Sequence, residues 1–210
     1  MVSKKIMAKS QNHKKYPESM INVTCDNKIK KQEVLIKQIT NVNCRNKNND
    51  TPLMVASKKG EYASVRILIK KGAKINTVNK QGDTALHLAC QRKYNAKVIA
   101  YLISKGAQIN KRNSLGMSPL IVASAWGCKN NTAKLLKFSP NLNIKTLNDE
   151  TAFTYAIVLG HKKVVTLLID AGVNINKKDN FGWTPLNYAI YEKRKDIVNL
   201  LVKNGAVKGK

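Results

Sequence analysis

Gly82-Asp83-Thr84-Ala85-Leu86-His87-Leu88-Ala89 decides how this chain is read, because its pattern returns at a fixed interval. Thr51-Pro52-Leu53 stands before it, and Ser118-Pro119-Leu120, Thr151-Ala152-Phe153 and Thr184-Pro185-Leu186 stand after it, each 33 or 34 residues from the last. A period of that length marks an array whose units bury their apolar faces only by stacking on one another. Function is then to be sought along an extended surface rather than in one pocket.

The residues around each anchor give the unit its shape. The Thr51 hydroxyl suits a helix N-cap and Pro52 the first helical position, where no N–H is needed. Leu53 and Ala56 face inward, and Gly60 ends this short helix. Val65, Leu68 and Ile69 have the 3-and-4 spacing of a second amphipathic helix, which stops at Gly72 before the turn Ala73-Lys74-Ile75-Asn76. Leu86, Ala89, Val98, Leu102, Gly106 and Asn110 repeat this order with one residue inserted near Asn95, and three further units follow. The clear repeats fall at about 46–78, 79–112, 113–145, 146–178 and 179–206. One period before Thr51, Met20, Val23, Val34, Leu35 and Ile36 keep a faint version of the pattern, so residues 18–50 read as a degenerate cap. Residues 1–17, lysine-rich and ending at Pro17, read as a disordered arm, and 207–210 as a basic tail.

This octapeptide, with Lys105-Gly106-Ala107-Gln108-Ile109-Asn110 and the run from Gly160-His161 to Ala171-Gly172, resembles the ankyrin repeat. The resemblance covers about residues 18–206. It implies an all-α repeat solenoid of stacked helix-turn-helix units with projecting β-hairpin loops, acting as a protein-binding scaffold without chemistry of its own. It also implies that His87 ties neighbouring hairpins through hydrogen bonds.

The departures from that pattern carry expectations of their own. Asn49 and Asp149 replace the glycine found at Gly82, Gly116 and Gly182, and both tolerate a left-handed backbone at some cost. In the third clear repeat Asn131, Thr132 and Lys134 occupy places that are usually apolar, and Ser139-Pro140 replaces the Gly-Ala helix exit. Lost apolar area makes residues 128–150 the segment expected to open most readily.

The chain carries 38 Lys and Arg against 12 Asp and Glu, a formal net charge of +26. That excess suits an acidic protein, nucleic acid or an anionic membrane. Lys and Asn also have A/T-rich codons, so genome composition alone could load a solvated surface with them. Cys25, Cys44, Cys90 and Cys128 show no Cys-x-x-Cys pair, which points to reduced thiols in an intracellular, cytoplasmic or host-cytoplasmic setting. No signal-peptide core and no long apolar span is present. Neither a nucleophile-base-acid constellation, nor a phosphate loop, nor metal-ligand spacing occurs, so no enzymatic activity, cofactor or metal is expected.

Within the resemblance, binding residues lie in each hairpin and on the last turn of each first helix. In the first two clear repeats these places are basic, with Lys58, Lys59, Lys80 and Arg92. In the last three they turn apolar and aromatic, with Leu115, Met117, Trp126, Leu147, Leu159, Phe181, Trp183 and Tyr191. Aromatic side chains and Met are what interface centres favour. The expected partner is a protein that is acidic or offers an apolar anchor, bound by a monomer. The alternative is an electrostatic binder of nucleic acid or anionic membrane, which requires the basic residues to share one face.

Overall fold

The computed structural model describes residues 41–209, so the arm expected at 1–17 and most of the cap expected at 18–50 lie outside the described residues. In chain order the helices are α1 (Pro52–Lys59), α2 (Tyr62–Lys70), α3 (Ala85–Cys90), α4 (Ala96–Ser104), α5 (Pro119–Ala125), α6 (Lys129–Leu136), α7 (Ala152–Val158), α8 (Lys162–Asp170), α9 (Pro185–Tyr191) and α10 (Lys195–Lys203). The odd-numbered helices stack on one another as an inner layer. The even-numbered ones form an outer layer, each packed against its inner partner.

Each inner helix starts where the sequence supplies a cap. The hydroxyls of Thr51, Thr84, Ser118, Thr151 and Thr184 accept from the backbone N–H three residues on. Helices of this length are marginal alone in water, so stacking must hold them. Leu53, Leu68, Leu86, Leu102, Leu120, Leu135, Phe153 and Leu168 are almost fully buried in one core running through the described repeats. Burying each such side chain contributes roughly 1.5–3 kcal/mol.

A polar rivet joins successive helix pairs, and its chemistry changes from repeat to repeat. Asn95 Nδ2 donates to Ser57 O at 3.1 Å, His161 Nε2 to Ala125 O at 3.0 Å, and Arg194 Nη2 to Val158 O at 2.8 Å. Each donor stands at the start of an outer helix and satisfies a carbonyl left open at the end of the preceding inner helix. In the third repeat Cys128 takes this place, and its thiol faces Trp126 O of its own repeat at 3.7 Å. Asn131, one turn into α6, donates instead to Ala89 O and Arg92 O. Asn131 is therefore a buried inter-repeat link rather than only a missing apolar group. That repeat still carries a cost, since Ser124 Oγ, Asn131 Oδ1 and Thr132 Oγ1 are buried without a partner.

Candidate functional site

The loops that precede the inner helices are tight turns, and among the described residues no strand forms. Each turn is closed by a backbone bond: Asn46 N to Asp50 O, Asn79 N to Asp83 O, Asn113 N to Met117 O, Thr146 N to Glu150 O, and Asp179 N to Trp183 O, all 2.8–3.1 Å. In each, the side-chain oxygen of the first residue accepts the N–H groups two and four residues on. The residue before the closing one is left-handed, with φ of 66° at Asn49 and 65° at Asp149, as the sequence requires of them.

Most of the expected contact residues are on the surface. Leu115, Leu147 and Phe181 project from successive turns, Phe181 with 84% of its surface exposed. Trp126 and Tyr191 sit at the ends of α5 and α9, exposed by 46% and 67%. Lys58, Lys59, Lys80 and Arg92 are also exposed. Leu159 and Trp183 are half-buried. The Trp183 indole packs 5.1 Å from the Tyr188 ring and 5.4 Å from the Tyr191 ring, which places the fifth turn and the end of α9 on one face.

Met117 is a correction. It is 7% exposed and belongs to the core, because its place in the turn points along the array toward the neighbouring turn rather than into solvent. Asp83, at the same place one repeat earlier, is likewise buried and accepts from Asn113 Nδ2 at 2.7 Å. A residue the sequence reading passed over is Tyr94, 86% exposed in the inserted segment after α3, two residues from Arg92. The insertion itself was the available signal.

The turns are sewn to one another by a recurring set of bonds. Asn43, Asn76, Asn110 and Asn176 each accept, through Oδ1, a backbone N–H in the exit loop of the next unit: Lys74, Gln108, Asn141 and Val207, at 2.8–2.9 Å. The turn tips are joined by Lys80 N to Asn48 O, Ser114 N to Gln81 O, and Leu147 N to Leu115 O. Asn79 and Asn113 add amide bonds back to Asp50 and Asp83. Close approach requires glycine at Gly82 and Gly116, where a Cβ would lie 2.6 Å from Ser114 N and 2.9 Å from Leu147 N.

Between the fourth and fifth turns every one of these bonds is missing. Asn143 meets no N–H of the next exit loop and accepts only from Lys177 Nζ, at 3.3 Å. Asn180 N donates to no carbonyl of the fourth tip. Asp179 stands where Asn79 and Asn113 do, and a carboxylate cannot donate to Glu150. Val173 replaces the alanine found at Ala73, Ala107 and Ala206, and Asp149 brings a side chain where Gly82 and Gly116 have none. Asn49 also carries a Cβ, and the seam before the fourth turn closes with Thr146 at the amide place and Pro140 at the alanine place, so it is the combination of Asp149, Val173 and Asp179 that distinguishes the open one. A cleft opens there, lined by Lys145, Asp149, Lys177, Lys178, Asp179 and Trp183 among others.

The residues with reactive side chains do structural work. Burial lowers the His87 pKa, leaving a neutral imidazole whose Nδ1 accepts from Thr84 N at 3.2 Å and whose Nε2–H donates to Met117 O at 3.1 Å. Burial raises the Asp83 carboxyl, and Asn113 opposes that rise. Burial pushes up the Cys90 and Cys128 thiols, so neither is activated as a thiolate. Among the described residues no cluster of three His, Cys, Asp or Glu could hold a metal, and no helix is long and apolar enough to cross a membrane.

Helix pairs on a common core, with turns sewn along one end and exposed side chains between them, define a helical repeat scaffold. The profile of the family described as ankyrin repeats (3 copies) matches residues 19–113, 75–146 and 120–210, and the chain belongs to that family. Ankyrin repeats are in general modules of protein–protein interaction. No curated protein matches the chain.

Proposed function

We propose that this protein is a non-enzymatic scaffold that captures a protein partner across its turns and the exposed ends of its inner helices. The observation that carries the reading is the exposure of Leu115, Trp126, Leu147, Phe181 and Tyr191 at turns and inner-helix ends of the last three repeats. Exposed aromatic and apolar groups at such places suit a contact surface. Lys58, Lys59, Lys80 and Arg92 lie at the matching places of the first two repeats and would steer an acidic partner toward the aromatic anchor.

Basic residues also cover the outer helices, at Arg66, Lys70, Lys97, Lys105, Lys129, Lys162, Lys163, Lys195 and Lys203. An even coat favours protein binding over a nucleic-acid or membrane-binding face. The described cysteines are unpaired, which fits a reducing, intracellular compartment.

Affinity capture from native lysate with the intact protein and with Trp126→Ala/Tyr191→Ala in parallel tests the reading. The double variant should lose the partner at least about a hundredfold in affinity, as truncation of two aromatic anchors does, while its melting curve stays close to that of the parent. Equal capture by both proteins would remove the aromatic surface as the binding site.

A further inference from the structure

The geometry points to the open seam between the fourth and fifth turns as a receptor for a carboxylate side chain, Asp or Glu, from an acidic segment of a partner protein. This rests on the protein-binding reading and adds a specific pocket to it.

Size comes first. The cleft holds about 40 Å³ of free space, more than the roughly 10–15 Å³ that one water needs. A carboxylate head fits such a space.

Charge decides the class of group. The two aspartates lining the cleft are already engaged. Asp149 Oδ1 lies 2.6 Å from Lys145 Nζ, and Asp179 accepts Phe181 N and Trp183 N through Oδ1 and the Tyr188 hydroxyl through Oδ2. Glu150, beside the cleft, is held by the hydroxyls of Thr146 and Tyr155. An incoming cation would therefore meet carboxylates that already have partners. The donors left over are Lys177, whose one acceptor is the neutral Asn143 amide, and Lys178, for which no acceptor stands within reach. Both lysines are exposed and line the cleft together with Trp183, Pro185 and Phe153. Apolar surface beside a charge-assisted bond favours it. Lys177 is also the group that spans the seam where the asparagine bonds fail.

Trp183 supplies the readout. In a Trp126→Phe background it is the one remaining indole, and it lines the cleft. Hexaglutamate titrated into that protein at about 0.15 M salt, near physiological strength, should change its emission saturably. Lys177→Gln/Lys178→Gln should weaken this by about tenfold or more, the loss expected for charge-assisted bonds. Lys162→Gln/Lys163→Gln removes the same charge from α8, at lysines as exposed as Lys177 and Lys178 but outside the cleft lining, and should cost less than about twofold. Equal weakening by both pairs would mean diffuse attraction to a basic protein, and no saturable change would mean no site; either overturns the proposal. Such a failure, with partner capture still lost in Trp126→Ala/Tyr191→Ala, would leave the protein-binding reading standing. A saturable response that Lys177→Gln/Lys178→Gln weakens, with capture retained by Trp126→Ala/Tyr191→Ala, would be the opposite division.

Discussion

The second and third turns are held together by the Asn76 and Asn113 amides, by the Gln81 carbonyl and by the His87 imidazole; the fourth and fifth have no counterpart to any of these. Their helices are stacked in the same way, and Arg194 rivets the later pair as His161 rivets the one before it. The two layers of the array are thus independent in part. Apolar burial aligns the helices whatever the turns do, while the turns close only where each unit offers a donor to the acceptor beside it. At the His87 place the fourth repeat has Thr154, whose short side chain bonds back to Thr151 and cannot cross to the next turn.

The largest test of this contrast is His87→Ala against Thr154→Ala. Removing a fully buried imidazole leaves a cavity, strands the Thr84 N–H that its Nδ1 accepts and takes one of two donors from Met117 O, which should cost about 2–4 kcal/mol. Thr154→Ala removes only a local cap bond and should cost about 1 kcal/mol or less. Urea unfolding of both proteins checks the difference, and similar losses would show that the closed seam is no stronger than the open one. The same histidine predicts a pH effect. Its folded pKa lies below the ordinary value of about 6.5, so the unfolded chain takes up the proton first. Stability is then complete above that value and falls as pH drops below it. Asp83 works in the other direction at lower pH, since its raised pKa lets the folded state bind the proton earlier. The urea midpoint should therefore fall between about pH 7.5 and about pH 5.5. His87→Gln, which keeps a donor toward Met117 O, should flatten that fall.

A smaller effect separates the two asparagines at equivalent places. Asn76 donates to Gly106 O and accepts Gln108 N, both at 2.9 Å, whereas Asn143 touches only Lys177. Asn76→Ala should cost about 1–2 kcal/mol, the net worth of two ordinary hydrogen bonds, and Asn143→Ala no more than a few tenths, as for a surface substitution. Amide exchange gives a second reading. Gln108 N–H should be protected and Asn174 N–H, its unbonded equivalent, should exchange at close to the free rate.

How much of this was legible in the sequence depends on what carried the signal. The repeat, the caps at Thr51, Thr84, Ser118, Thr151 and Thr184, and the paired helices follow from residue type at a fixed period, because capping and amphipathic spacing are local properties. His87 was legible only through the family resemblance. The expectation that residues 128–150 form the weakest link rested on apolar area alone. It registered Asn131 as a loss, while the structure uses that amide as a rivet to Ala89 and Arg92. Met117 was assigned to the surface because its repeat place is variable, and variability in a turn does not say whether the side chain faces solvent or the next turn. Of the open seam the sequence reading marked only Asp149, while Val173 and Asp179 went unremarked. Their meaning required knowing which atoms meet across repeats.

The finest test asks whether one of those departures is enough to hold the seam open. Asp179→Asn preserves the oxygen that accepts Phe181 N and Trp183 N and supplies the amide donor that Asn79 and Asn113 use at the closed seams. It also removes a negative charge from beside Glu150 and Asp149, the group of carboxylates that, after burial, raises the Tyr188 hydroxyl. Against this, the Tyr188 hydroxyl loses its acceptor, although Tyr188 is only partly buried and can turn to water. The balance should favour the variant by about 0.5–1 kcal/mol, near the lower end of a single hydrogen bond's net contribution. Asn180 N–H should become protected at the same time if the tip bond to Asn148 forms once the turns meet. A gain in stability without protection of Asn180 would mean that charge relief alone is at work, and that Val173 keeps the turns apart; Val173→Ala added to Asp179→Asn should then close them.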